Sequence, residues 1–154
     1  MSQTTHRLLN LAAIGTVLLL GACAQTQAPP PMASNPPPVP PGANATWYHV
    51  GFASGTFALD PDGQKAVGNV KVYLMANPAA VATIIGKTDT VGSKDYNMHL
   101  SHQRADAVRD ALVYGGNISA ERVETRWTGE GRQAVATADN VATAANRVVD
   151  IAIH

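Results

Sequence analysis

The sequence predicts an α+β fold in which a mixed, four-stranded sheet carries its helices on one face. Short apolar runs alternate with longer runs of helical period, and two further strand-like runs close the chain, which gives the order β-α-β-α-β-β. The chain has 154 residues, enough for one ordinary domain but not for two sizeable ones. Its single cysteine, Cys23, excludes an internal disulfide and a zinc cluster built on cysteines.

The first half of the folded region contains a strand, a helix and a second strand. Val50–Ala53 is a weak strand signal, and Val81–Ile85 is a short β-branched run that predicts a buried strand. A helix is expected to begin at Asp60-Pro61, because Asp caps helices and Pro is favoured at the first helical position. Asn77-Pro78 is expected to end it, since the residue before a proline avoids the helical conformation. The apolar face of this helix consists of Ala66, Val67, Val70 and Leu74.

The second half contains the clearest helix and two more strands. That helix is expected over Asn97–Tyr114, after a polar loop over residues 87–96, and a pair of glycines ends it. Val123–Trp127 and Val148–Ile153 alternate between apolar and polar residues, which predicts strands. The segment between these strands is irregular, with a short helical turn near Val141–Ala145.

The first 22 residues have the features of a secretory signal peptide. Arg7 precedes an apolar run over Leu8–Leu20, whose helix would be about 20 Å long, too short for the roughly 30 Å core of a bilayer. The run ends in Leu20-Gly21-Ala22-Cys23, which resembles a bacterial lipobox. The resemblance implies cleavage before Cys23 and acylation of its thiol, which anchors the chain in a lipid bilayer. Ala24 after the cysteine implies the outer membrane, in the leaflet that faces the periplasm.

Residues 23–45 are expected to form a lipidated N-terminus and a proline-rich tether. Eight of the ten prolines lie between Pro29 and Pro41, in a segment without charge or apolar period. In the polyproline II conformation this tether would hold a domain roughly 60 Å from its anchor. The alternative, a ligand for an SH3-like groove, is disfavoured because no basic residue accompanies the prolines.

The charge balance is close to neutral. Eleven basic residues face eleven acidic ones, and removal of Arg7 with the signal peptide leaves a slight acidic excess. Nucleic acid and anionic membrane surfaces attract proteins with a basic excess. The composition therefore argues against nucleic acid as a partner.

Two charged residues are candidate binding residues. On a helical wheel with Leu100 at the origin, Arg104 falls at about 40°, inside the apolar arc. A buried guanidinium without an anionic partner is costly. The partner could be a protein carboxylate or a ligand carboxylate, or the side chain could snorkel to solvent, and helix geometry leaves these alternatives open. Asp89, in the loop after the second strand, suits a ligand ammonium or acts as an ordinary loop carboxylate.

The segment around these two residues carries a dense motif. It reads Gly86-Lys87-Thr88-Asp89, Gly92-Ser93, Tyr96-Asn97, Leu100-Ser101 and Arg104-Ala105. The spacing resembles the signature of the OmpA-like C-terminal domain family, roughly G-H-T-D-x-x-G-S-x-x-Y-N-x-x-L-S-x-x-R-A, which includes the peptidoglycan-associated lipoprotein. Gly129-Glu130 and Asn146-Arg147 match two later blocks of the family. The resemblance covers about residues 48–154 and implies a single OmpA-like domain over 46–154.

The resemblance implies noncovalent binding of peptidoglycan through the diaminopimelate of its stem peptide. Carried over by position, Asp89 takes the ammonium of that residue and Arg104 takes its carboxylate. Asn97 hydrogen-bonds the ligand or positions the loop, and Arg147 borders the pocket. The resemblance further implies that the protein tethers the outer membrane to the cell wall, with periplasmic Tol-type proteins as candidate partners.

The sequence contains no nucleophile elbow, P-loop or dinucleotide fingerprint. His99 and His102 could join Asp95 as metal ligands, but the helical wheel places both histidines on the solvated face. Glu130 could be proposed as a general acid, and the resemblance gives it a structural role instead. We therefore expect no catalysis, no cofactor and no metal.

Four positions depart from the family pattern. Ala53 stands where Asp is usual, Lys87 replaces a His, Val148 replaces the second Arg of N-R-R, and Gln133 stands where Pro is usual. The change at position 53 removes one potential ligand contact. The changes at 53 and 148 support an alternative function, a protein-interaction lipoprotein of the cell envelope with a weakened peptidoglycan site.

Overall fold

The computed structural model describes residues 45–154 and shows a four-stranded sheet with two helices. Its main elements are β1 (Thr46–Gly51), α1 (Pro61–Ala76), β2 (Ala82–Gly86), α2 (Lys94–Val113), β3 (Val123–Trp127) and β4 (Val148–Ile153). Single turns of 3-10 helix precede β3 and β4, at Ala120–Arg122 and Ala144–Asn146. This order confirms the predicted α+β fold. The predicted signal peptide, Cys23 and the tether up to residue 44 lie outside the described residues.

The strands are ordered β1-β4-β2-β3, so the last strand of the chain lies inside the sheet. β4 runs antiparallel to both of its neighbours, and its Val149 pairs with Val50 of β1 and Gly86 of β2. β2 and β3 are parallel and are connected through α2, the kind of crossover that parallel neighbours require. Because Gly86 pairs with Trp127, the loops that follow β2 and β3 leave the sheet at the same edge.

Both helices pack on one face of the sheet, as predicted. α1 packs against β1, α2 packs against β2 and β3, and the two helices contact each other. The fully buried side chains of this core include Val50, Val70, Leu74, Ile84, Val108, Leu112, Val149 and Ile151. Each contributes about 1.5–3 kcal/mol by leaving water, so this layer supplies most of the favourable free energy of folding.

The opposite face of the sheet, which neither α1 nor α2 covers, carries an ion cluster. The carboxylate of Asp150 contacts His49 Nδ1 at 2.7 Å and Lys87 Nζ at 2.5 Å. Side chains alternate between the two faces of a strand. Because Val149 points into the core, its neighbour Val148 lies on this opposite face. Two departures from the family pattern, Lys87 and Val148, therefore have side chains on the face away from the helices.

The helix starts follow from capping side chains. α1 begins where predicted, because Asp60 Oδ1 accepts the backbone N–H three residues later at 2.7 Å. α2 begins at Lys94, before the predicted start at Asn97. Ser93 caps it, since its Oγ accepts the N–H of Tyr96 at 3.2 Å. The apolar period gave no sign of this polar first turn, and the Ser93 cap was the signal that could have found it.

The first strand also differs from its prediction. It was expected over Val50–Ala53 and is observed over Thr46–Gly51, where Tyr48 and Val50 pack towards the helices. After Gly51 the chain leaves the sheet. The carbonyls of Phe52 and Ala53 then accept hydrogen bonds from arginine side chains, which begins the candidate site.

Candidate functional site

Arg104 lies on the core-facing side of α2 and is fully buried, which confirms its predicted place inside the apolar arc. Its Nε donates to the carbonyl of Thr56 at 2.9 Å, and its terminal nitrogens donate to the carbonyls of Ala53 and Lys87, both at 3.0 Å. Among residues 45–154 no carboxylate forms an ion pair with it. Neither a protein salt bridge nor snorkelling describes this side chain; three backbone carbonyls hold it.

The Arg104 guanidinium retains hydrogen-bonding capacity. A guanidinium has five N–H donors, and the three carbonyls use one on each nitrogen, so each terminal nitrogen keeps one N–H beyond these bonds. Burial lowers the pKa of Arg104 to about 10, a shift that the nearby carboxylate of Asp89 opposes and the guanidinium of Arg147 reinforces. The group therefore remains charged at neutral pH. Its Cζ also lies 5.2 Å from the centre of the Phe52 ring, within the range of a cation–π contact.

Asp89 is buried in the loop after β2, with 4% of its surface exposed. Its Oδ2 accepts from Arg147 Nη1 at 3.0 Å and from the backbone N–H of Thr143 at 3.2 Å. Within residues 45–154 its Oδ1 accepts only from the N–H of Val91, at 3.4 Å. Asp89 therefore pairs with Arg147 rather than with Arg104, and one of its two oxygens remains weakly bonded.

Arg147 connects this carboxylate to the segment after β1. Its Nε donates to the carbonyl of Phe52 at 3.2 Å, while the carbonyl of the next residue, Ala53, accepts from Arg104. The two guanidiniums therefore grip adjacent peptide groups. Among residues 45–154 only Asp89 forms an ion pair with either of them, so the three side chains carry a net charge of +1. The structure brings three of the four predicted site residues together, with one positive charge in excess.

Asn97, the fourth predicted site residue, lies two helical turns before Arg104 and is 1% exposed. Its Nδ2 donates to Glu130 Oε2 at 2.7 Å. Its Oδ1 is buried and has no hydrogen-bond partner among the described residues. That oxygen lies 3.9 Å from the point where a side chain on Gly92 would begin, so it faces the loop that carries Asp89.

Glu130 reaches Asn97 because Gly129 packs directly against the backbone of α2. Gly129 has a φ of +54°, and a Cβ at this position would lie 3.2 Å from the backbone nitrogen of Met98. Its N–H also donates to Ser101 Oγ at 2.9 Å. The sequence indicated Glu130 through its family block and as a conceivable general acid, but not as a partner of Asn97. Its partner is 33 residues away, so only the fold could reveal the pairing.

Two polar side chains hold the loop between β3 and β4, which the sequence predicts to be irregular. Thr90 Oγ1 donates to the carbonyl of Ala138 at 2.7 Å and accepts the N–H of Val141 at 3.0 Å. The Asn146 side chain bonds both backbone groups of Val135, at 2.9 and 2.8 Å. These contacts fix the loop against the segment that contains the buried aspartate.

The four departures from the family pattern affect the site unequally. Only the backbone of Lys87 reaches Arg104, and Val148 points to the other face of the sheet. Ala53 lies in the site and supplies a carbonyl where the family usually has a carboxylate as well. Gln133 accepts a backbone N–H four residues later at 3.1 Å, which orders the loop after β3.

His102 has a role on the surface of α2. Its ring stacks on Trp127 with the centroids 3.9 Å apart, and its Nε2 lies 3.1 Å from Asp106 Oδ2. In the part of the chain that the structure describes, no three His, Cys, Asp or Glu side chains converge as metal ligands.

Residues 51–147 match the OmpA family over more than half of the chain. The chain belongs to the OmpA family. This confirms the resemblance found in the motif from Gly86 to Ala105. The OmpA-family match also includes Gly129-Glu130 and Arg147, two of the blocks that surround the buried charges.

Individual relatives agree with this OmpA-family assignment. The chain is 34% identical over 105 residues to the probable lipoprotein YiaD of Escherichia coli (strain K12), which covers 68% of this chain and 48% of that protein. It is 40% identical over 75 residues to the peptidoglycan-associated lipoprotein of Haemophilus influenzae, which covers 49% of this chain and 48% of that protein. The chain thus spans about half the length of these two relatives.

A solved structure has the same OmpA-like fold. The crystal structure of the peptidoglycan-associated lipoprotein from Burkholderia pseudomallei superposes with a TM-score of 0.64 at 26% sequence identity. The superposition covers 70% of this chain and 90% of that one. The family match and this solved structure therefore agree on an OmpA-like fold for the chain.

Proposed function

We propose that this OmpA-family chain is a cell-envelope lipoprotein that binds peptidoglycan noncovalently through the diaminopimelate of the stem peptide, without catalysis. One observation carries the proposal: the buried guanidinium of Arg104 has no anionic partner among residues 45–154, because the neighbouring carboxylate of Asp89 pairs with Arg147. Diaminopimelate presents an ammonium and a carboxylate on one side-chain terminus. Its carboxylate supplies the missing negative charge, and its ammonium matches the weakly bonded oxygen of Asp89.

The ligand carboxylate reaches Arg104 through the segment that now covers it. Ala53, Ser54 and Gly55 are exposed, and the carbonyls of Ala53 and Thr56 occupy the guanidinium from that side. A bidentate carboxylate takes over N–H groups on the Arg104 fork as this short loop moves aside. The carbonyl of Lys87 remains bonded from the other side and keeps the guanidinium in place.

The names of relatives support this proposal. Two are called peptidoglycan-associated lipoprotein, and a third is called a probable lipoprotein. A single small site binds weakly, but many copies on one polymer gain affinity through avidity. We infer that the chain tethers the outer membrane to the cell wall, with its domain in the periplasm and Tol-type proteins as candidate partners.

A second candidate function is a protein-interaction lipoprotein whose peptidoglycan site has weakened. The observation in its favour is that Arg104 is already bonded to three backbone carbonyls. In addition, Ala53 provides no carboxylate at the mouth of the site. Under this alternative, the protein does not sediment with purified peptidoglycan.

The proposal predicts that Asp89→Asn weakens binding to insoluble peptidoglycan about tenfold. The substitution keeps the shape of the side chain but removes the charge that attracts the ligand ammonium, and charge-assisted hydrogen bonds are roughly twice as strong as neutral ones. Co-sedimentation measures the change, and free diaminopimelate should release the wild type. Asp110→Asn is the matched control, because Asp110 forms only an exposed pair with Arg109 on the same helix as Arg104. If both variants sediment like wild type, Asp89 is not a ligand residue.

The membrane anchor is tested separately at Cys23. We expect Cys23→Ser to abolish incorporation of labelled fatty acid, because a hydroxyl does not replace the thiol that receives the lipid. The variant should then fractionate without the outer membrane but still bind isolated peptidoglycan, since the site lies within residues 45–154. Labelling that persists in Cys23→Ser would refute the lipobox assignment.

A further inference from the structure

Asn97 has a buried carboxamide whose NH2 group is hydrogen-bonded and whose oxygen lacks a partner among the described residues. Its Nδ2 is bonded to Glu130, whereas its Oδ1 has no partner in the described part of the chain. A buried polar atom without a partner is costly, so it calls for an explanation such as a bound ion, water or ligand. This oxygen faces the Gly92 side of the loop that holds Asp89.

The orientation of the Asn97 amide is dictated by Glu130. An ionised carboxylate only accepts hydrogen bonds, so the side of the amide that contacts Glu130 must be the NH2 group. The opposite, carbonyl side must then point away from Glu130. With a donor at position 130 the amide would turn around and present N–H groups instead.

Glu130 is itself held rigidly enough to enforce this choice. Gly129 has a positive φ and lies so close to the backbone of α2 that a Cβ would crowd it, and its N–H is bonded to Ser101 Oγ. The carbonyl of Gly129 accepts the N–H of Thr88 at 2.9 Å, which links Glu130 to the start of the loop that carries Asp89. The backbone next to Glu130 is therefore bonded both to α2 and to the site loop.

We propose that Glu130 is a positioning residue that fixes Asn97 as a hydrogen-bond acceptor for the ligand ammonium. This inference rests on the proposed function and goes beyond it, because it assigns the selectivity for an ammonium to a pair of residues. Asn97 Oδ1 and Asp89 Oδ1 are underused acceptors of the site, and the buried hydroxyl of Thr88, next to Asp89, also lacks a partner among the described residues. Glu130 does not touch the ligand; it acts through the orientation of Asn97.

The test compares two soluble stem peptides by titration calorimetry, using the full chain purified in detergent. One peptide ends in diaminopimelate, and the other ends in 2-aminopimelate, which lacks the side-chain ammonium. The quantity measured is the ratio of the two affinities. A general loss of folding lowers both affinities together, whereas loss of an ammonium acceptor lowers the ratio.

We expect Glu130→Gln to lower this ratio about tenfold, because the introduced carboxamide can accept or donate and no longer forces the Asn97 amide to one orientation. The double variant Asn97→Asp with Glu130→Gln should restore the ratio. One oxygen of the carboxylate introduced at position 97 accepts a hydrogen bond from the NH2 group introduced at position 130, and the other oxygen accepts one from the ammonium. Because the two carboxylate oxygens are equivalent, either orientation of the side chain works. Glu121→Gln, an exposed glutamate in the turn before β3, is the control and should leave the ratio unchanged.

Three results would overturn the proposal. In the first, Glu130→Gln keeps the wild-type ratio, or loses affinity for both peptides equally, which is a purely structural effect. In the second, the double variant stays as unselective as Glu130→Gln. In the third, the wild type binds neither peptide, and the proposed function then fails together with this inference. A wild type that prefers diaminopimelate while Glu130→Gln keeps that preference overturns the inference alone.

Discussion

Arg104→Met is expected to reduce binding to peptidoglycan about a hundredfold. Truncating one member of a buried, hydrogen-bonded charge pair costs about 2–5 kcal/mol. Met fills a similar apolar volume but leaves the ligand carboxylate without a cation on α2. Arg147 does not replace it, because the charge of Arg147 is already paired with the carboxylate of Asp89.

The same substitution is expected to lower the free energy of unfolding by about 1–3 kcal/mol. The carbonyls of Ala53, Thr56 and Lys87 lose their donor, and an unsatisfied buried acceptor costs about 1–3 kcal/mol. The loss stays below the sum of the costs for three unsatisfied carbonyls, because water reaches the exposed segment around Ala53. In addition, the variant no longer has to bury a charged guanidinium, which is itself costly.

Co-sedimentation and urea unfolding separate these two effects of Arg104→Met. Arg109→Met on the same helix is the matched control, since Arg109 only pairs with Asp110 at the surface. Arg104→Lys keeps the charge without the planar fork and should bind with intermediate affinity. Wild-type binding by a folded Arg104→Met protein would refute the assignment of the ligand carboxylate to this residue.

Gly86→Ala is expected to destabilise the domain by about 3 kcal/mol. A Cβ at this position would overlap the backbone carbonyl oxygen of Ser101, which belongs to α2 and has little freedom to move. Overpacking of this kind typically costs about 1–3 kcal/mol, with the larger values where the backbone must shift. Because β2 and α2 carry the two halves of the site, their separation should weaken ligand binding as well.

Gly68→Ala provides the control for this change. Gly68 lies inside α1, and a Cβ there meets nothing within 4 Å. Alanine is favoured over glycine in helices, so this variant should gain about 0.5–1 kcal/mol in the free energy of unfolding. Urea unfolding of both variants gives the comparison. Equal stability of Gly86→Ala and wild type would contradict the close approach of β2 and α2.

The regular elements were predictable because their residues repeat with a helical or strand period. The burial of Arg104 followed from the same period, since its angle on the helix alone places it among apolar neighbours. The hydrogen-bond partners of Arg104 could not be predicted from this period. The carbonyls of Ala53 and Thr56 belong to a loop without any periodic pattern, and backbone groups carry no residue-specific signal.

The pairings within the site were hidden for a related reason. Asp89 and Arg147 are 58 positions apart, and they meet only because β4 inserts beside β2. The sequence placed both residues at the pocket through the family resemblance, but it contained no information on which cation Asp89 prefers. The link from Asn97 to Glu130 depends likewise on the packing of Gly129 against α2.

The position of β4 has a consequence for how the domain is made. β1 has no hydrogen-bonded strand neighbour other than β4 within residues 45–154, and β4 also separates β1 from β2. Nothing synthesised before residue 148 can therefore complete the sheet, and the non-local pairings make folding slow relative to helical proteins. During translation the sheet therefore stays open until residues 148–153 have emerged, and β1 has no strand to pair with before that point.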